Sequence, residues 1–176
     1  MEITNYTLKE FAKVPTETAK EYAEILKYME PIPTAINLQD LTFGEVEDVK
    51  QSISDEDYLP TLFKLMEGLD VKEFYDLRIS TFYGLLNDIL RQLKNLQHME
   101  EQHLQPKNVN MKWETVEGSK RLSTLGVLPI IDRLASGVVL DYERVLSMPY
   151  MTAFNVLRMD AINSDIQHDL SKIELK

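Results

Sequence analysis

Apolar residues recur at alternating steps of four and three along one stretch of this chain: Tyr75, Ile79, Phe82, Leu86, Ile89, Leu93 and Leu96. In a helix of 3.6 residues per turn those positions form one narrow seam, which is stable only when another helix covers it. Leu85 and Leu90 widen the stripe, which favours burial within a bundle over a bare two-stranded coil. The spacing predicts a long helix from about Val71 to Leu104. Gly84 lowers helix propensity there by about 1 kcal/mol and permits a close crossing. The fold class that follows is all-α, a helical bundle around a long central helix.

Punctuation divides the rest of the chain into shorter helices. Thr7 and Glu10 have the spacing of a capping box. The helix they open ends at Val14-Pro15, because proline disfavours helix in the residue before it. A second helix, from Pro15 to about Met29, puts Ala19, Ala23, Leu26 and Met29 on one face. Pro31-Ile32-Pro33 then enforces an extended link. This predicts an N-terminal helical arm, residues 1–30, and a helical body, residues 34–176. Further helices are expected over Thr42–Ser52, Asp55–Glu67 (with Gly68 as its left-handed cap), Pro129–Ser136 and Asp141–Ser147. The last helix, Tyr150–Lys172, has Met159, Ile162, Ile166 and Ile173 as its apolar face. Val109, Met111 and Trp113 instead alternate with polar residues, and Gly118 follows at a turn position. That pattern predicts a small β-hairpin near residues 108–123.

The segments Thr7–Pro15 and Asp141–Pro149 share one order: capping residue, amphipathic turn, apolar residue, proline, long helix. Asp70-Val71-Lys72-Glu73-Phe74 echoes it without the proline. Either a repeat or the convergence of ordinary caps and breaks produces such a likeness, and the irregular spacing excludes a solenoid.

Composition narrows the function. The chain has 176 residues, 44% apolar and 27% charged, enough to bury a core without disulfides or a structural metal. A net charge of −10 repels phosphate backbones and anionic lipid, so no nucleic-acid or membrane partner is expected. The absence of cysteine removes thiol nucleophiles and cysteine-held zinc. The first residues have no basic lead and no apolar run, so no signal peptide is expected.

No phosphate loop, dinucleotide fingerprint or nucleophile elbow occurs. One arrangement resembles metal chemistry: Glu100-x-x-His103 with Asp165-x-x-His168, each pair on one helix face. Continuing the long seam past Leu96 lands on Glu100 and His103. Against it, His168 points away from its helix's apolar face, and no bridging glutamates are evident. The expectation is therefore no cofactor, no metal and no catalytic residue. Asp55, Asp57 and the run Glu45-Val46-Glu47-Asp48 sit near helix starts, where acids favour the dipole.

Leu41-Thr42-Phe43-Gly44-Glu45-Val46 and Gly126-Val127-Leu128-Pro129-Ile130-Ile131-Asp132-Arg133-Leu134-Ala135, continued by Asp141–Tyr150, give Leu38 to about Asp165 a likeness to a known group. The stretch resembles small assembly and structural proteins of tailed bacteriophages, notably tail assembly chaperone-like proteins. Met148 stands where that pattern usually has leucine, and the first 37 residues lie outside it. The resemblance implies a non-enzymatic, all-helical protein that binds phage structural proteins (tail, connector or capsid). It would act in the host cytoplasm during assembly or remain in the virion, with self-association a further option. A cellular helical adaptor and a metal-binding helical enzyme are the alternatives. Met111, Trp113, Tyr150, Met151 and Phe154 are the candidate interface, because aromatic residues and methionine are enriched in interface cores.

Overall fold

A computed structural model describes residues 3–55, 58–66, 69–105, 107–108 and 111–174. The all-α expectation holds: the described residues form eleven α-helices and no strand. In chain order they are α1 (Leu8–Phe11), α2 (Thr16–Leu26), α3 (Phe43–Ser54), α4 (Leu59–Leu65), α5 (Val71–Tyr75) and α6 (Ile79–His103). There follow α7 (Met111–Thr115), α8 (Gly118–Ser123), α9 (Leu128–Leu134), α10 (Tyr142–Leu146) and α11 (Tyr150–Glu174). The chain forms two compact units, one of residues 1–38 and 49–95, the other of residues 39–48 and 96–176.

The first unit contains the expected N-terminal arm. Residues 1–30 fall in this unit together with residues 49–95: Leu8 and Leu26 are buried, and the chain at Thr7 pairs with Arg78. Leu8 donates its backbone N–H to Leu77, and Ile79 donates to Tyr6. The capping box is present, with Thr7 Oγ1 accepting from Glu10 N–H and Glu10 accepting from Thr7 N–H. This pairing also interrupts the helix expected from Val71 to Leu104. The carbonyl of Leu77 and the N–H of Ile79 are used by the N-terminal segment, so α5 stops at Tyr75 and α6 starts at Ile79. The seam itself is buried from Ile79 to Leu96, whereas Tyr75, before the break, is exposed.

Pro31-Ile32-Pro33 is extended, as its prolines require, and forms a strap along α6. Ile32 N–H donates to the Gly84 carbonyl at 2.9 Å. Asn87 Nδ2 donates to the Met29 carbonyl, Gln92 Nε2 to that of Ile36, and Leu38 N–H to Gln92 Oε1. Gly84 is required by this close approach: a Cβ there would lie 2.5 Å from Ile32 Cδ1. At the middle sits Asp88, only 2% exposed. It accepts from Thr34 N–H (3.1 Å), Thr34 Oγ1 (3.0 Å) and Gln92 Nε2 (2.9 Å), and from Arg91. Burial acts to raise its carboxyl, but the bonds from Thr34 and Gln92, with Arg91 beside it, hold it below the usual carboxylate range.

The second unit repeats the same tie. Thr42 and Glu45 form a second reciprocal pair of cap bonds. Phe43 N–H donates to Met148, Tyr150 N–H donates to Leu41, and Thr42 pairs with Pro149. Phe43, Val46, Val145, Tyr150, Ala153, Phe154 and Leu157 are buried here. Gly44 is needed because a Cβ would stand 3.0 Å from the Leu146 carbonyl oxygen.

The hairpin near residues 108–123 is not formed. The described part is two short helices, α7 and α8, with the Trp113 ring against Gly118, where a Cβ would lie 2.2 Å from it. Three alternating residues are too few to distinguish strand from helix, and Thr115 Oγ1, bonding back to the Met111 carbonyl, completes the single turn locally. Val109, Asp57 and Gly68, used in the sequence reading, lie outside the described residues.

Candidate interaction surface

Three of the four residues that raised a metal centre are engaged otherwise. Glu100 accepts the Tyr150 hydroxyl at 2.8 Å. The His103 ring stands edge-on to Phe154, 6.3 Å between centroids. Asp165 accepts from the backbone N–H groups of Lys107 and Asn108 and from the Asn108 side chain. Burial acts to raise its carboxyl, yet these donors hold it below the usual range, so Asp165 fastens the chain after α6 to α11. His168 is exposed. Among the described residues no group of three or more His, Cys, Asp or Glu side chains is placed to hold a metal ion.

The five expected interface residues divide. Tyr150 and Phe154 are buried in the second unit's core, their rings stacked 6.5 Å apart, so they brace α11 and are not available to a partner. Burial of Tyr150, helped by Glu100 and Glu47, pushes its phenol far above the ordinary tyrosine range. Met151 is half-buried beside them. Met111 (72% exposed) and Trp113 face solvent.

The segment around Met111 and Trp113 continues outward-facing. Leu125 is exposed before Gly126, which has φ +59°. Gly137 (φ +76°) then turns the chain into Val138, Val139 and Leu140, and Leu140 is 92% exposed. Pro129 inside the first turn of α9 and positive-φ glycines at the turns hold these helices short, so large side chains cannot all be tucked under one face. Exposed side-chain bonds brace the same stretch of chain: Tyr142 Oη donates to Asp132 at 2.7 Å and Arg133 to Asp160 at 2.9 Å.

The last helix adds a surface that the sequence marked only as apolar. Tyr150, Ala153, Phe154, Leu157 and Ala161 face the core. At 100° per residue, Met159, Ile162, Ile166, Leu170 and Ile173 lie on roughly the opposite side, and all five are exposed. The missing signal was this double-sidedness: a helix with two apolar faces needs two partners.

No described helix is long and apolar enough to cross a membrane. No protein-family model, curated protein or solved structure matches the chain. What fold and surface define is a class: an all-α protein of two small helical units, with many large apolar side chains exposed on the second.

Proposed function

We propose that this protein acts without catalysis, by protein–protein contact, in assembling or building the virion of a tailed bacteriophage. Its partners in this reading are tail, connector or capsid proteins, met in the host cytoplasm or in the particle. One observation carries the contact reading: short helices and glycine turns hold Met111, Trp113, Val139 and Leu140 outward in the second unit. Side chains of that size gain about 1.5–3 kcal/mol each when fully buried, so leaving them exposed favours association with a partner that covers them. The net charge of −10 supports a protein partner over nucleic acid or membrane. The phage setting rests on the likeness around Leu41–Val46 and Gly126–Tyr150.

Quantitative mass spectrometry of purified particles against infected-cell lysate tests it. A fixed copy number relative to the major capsid protein makes the chain a virion component. Presence in lysate and absence from particles makes it an assembly factor. Abundance in uninfected cells refutes the phage setting and leaves a cellular adaptor.

A further inference from the structure

The two ties mark equivalent positions that lie 71 residues apart at the long helices, Arg78 and Pro149, and 35 apart at their other ends, Thr7 and Thr42. Helices α5 and α10 span Val71–Tyr75 and Tyr142–Leu146 and are equal in length, and α6 and α11 begin at Ile79 and Tyr150, so both pairs are offset by 142 − 71 = 150 − 79 = 71. The hydrogen bonds Leu8–Leu77 and Ile79–Tyr6 correspond to Phe43–Met148 and Tyr150–Leu41. Buried residues correspond as well: Phe74 with Val145, Ile79 with Tyr150, Phe82 with Ala153, Leu86 with Leu157. The two tied helix pairs therefore share one local design, and the faces of α6 and α11 can be compared position by position.

On α6 the strap occupies Gly84, Asn87, Asp88 and Gln92. The corresponding α11 residues, Asn155, Arg158, Met159 and Asn163, are all exposed. The chain thus covers the Gly84–Gln92 part of this face with its own segment and leaves the equivalent part of α11 open; further along, the α6 counterparts of Ile162, Ile166 and Ile173 are the polar, exposed Arg91, Asn95 and Gln102. The open face also differs chemically. Asp88 and Gln92 bind the extended strap through its backbone, whereas Met159, Ile162, Ile166, Leu170 and Ile173 offer an apolar stripe. An extended peptide laid there would leave backbone groups unbonded, but a helix satisfies its own.

We propose that the stripe from Met159 to Ile173 is the docking site for an amphipathic helix of a different, basic protein. The proposal rests on the protein-contact reading above and names its site and partner. The stripe advances by steps of three, four, four and three, the repeat of helix against helix. Charge argues against a second copy. Two copies paired antiparallel about Ile166 place Arg158 beside Lys172 and Asp165 beside Asp165, and a parallel pair sets Asp169 against Asp169. Each copy also carries a net charge of −10, which repels its like and steers in a cationic partner.

The test places the photo-crosslinker benzoylphenylalanine at position 166, and separately at position 140, of the full chain in the cells that produce it. The expected result is a crosslink from position 166 to the apolar face of a helix in a protein of positive net charge. The variant I162K/I166K, both sites being exposed, should melt as the parent does and lose that partner by about 100-fold in affinity. A crosslink from 166 to another copy of this chain overturns the proposal. So does crosslinking from 140 alone, which leaves the contact reading standing; silence at both positions removes the contact reading itself.

Discussion

Replacing Asp88 with alanine tests how the strap is held. Asp88 accepts from Thr34 N–H, Thr34 Oγ1 and Gln92 Nε2, all part-buried, so three hydrogen bonds are lost at once; Thr34 N–H is left without an acceptor, while Thr34 Oγ1 and Gln92 Nε2 keep the Ile36 carbonyl. Arg91 is largely exposed and is left out of the sum. At roughly 1 kcal/mol for each hydrogen bond lost, Asp88→Ala should cost about 3 kcal/mol. For a chain of this size that corresponds to a fall in Tm of about 6–12 °C. Urea denaturation followed by circular dichroism should show a lower midpoint with an unchanged slope. The pH dependence follows from the depressed folded pKa of Asp88. Its contribution is complete above the unfolded carboxylate value of about 3.9 and is lost as pH falls through the lower, folded value. The gap between the parent and Asp88→Asn, which cannot ionise, should therefore be full at pH 7 and close on acidification below that range. A cost under about 1 kcal/mol for the alanine variant, or a parent–asparagine gap that ignores pH, would refute the latch.

Three further outcomes follow. Gly84→Ala, which would gain about 1 kcal/mol in a free helix, should instead lose about 1–2 kcal/mol because its methyl displaces Ile32, and the loss should vanish in an Ile32→Ala background; denaturation of the double-mutant cycle reads this. Tyr150→Phe keeps the ring and removes the bond to Glu100, so it should cost about 1–2 kcal/mol by thermal melting. Because the folded phenol pKa is raised, that contribution is complete below about pH 10 and declines as pH rises beyond it, so the parent–variant gap should narrow in alkali. Deleting residues 1–30 should abolish protection of α5 and α6 amides in hydrogen exchange, since Leu8, Leu26 and the bonds at Thr7 go with them; protection at the parental level would restore the separate-arm reading.

Local chemistry made much of the fold legible. The period of three and four from Ile79 to Leu96 marked a core-facing helix, and Thr7 with Glu10 marked a cap, because both effects act within one or two turns. The break before α6 was invisible: Asp76-Leu77-Arg78 holds no proline or glycine, and what ends the helix there is a bond from Leu8, about 70 residues away in sequence. The equivalent break before α11 was legible because Pro149 stands in it. Tyr150 and Phe154 were left between core and interface for a related reason. Aromatic content suits core and interface alike, and only tertiary pairing with Leu41–Phe43 decides between them. Likewise, the Met159–Ile173 period reported an apolar face without saying whether the chain itself would cover it.

The two ties cross in sequence order, since 7 pairs with 78 and 42 with 149. The piece that completes the second unit, residues 39–48, lies inside the loop that the first unit closes. No single cut can therefore release both units whole. Synthesis imposes an order as well: the first unit can close once residue 95 has emerged, while Thr42 must wait for Pro149, 149 − 42 = 107 residues after its own appearance. At about 5–20 residues per second that wait is roughly 5–20 s, during which Phe43 and Val46 stay uncovered and open to a chaperone or to the wrong partner.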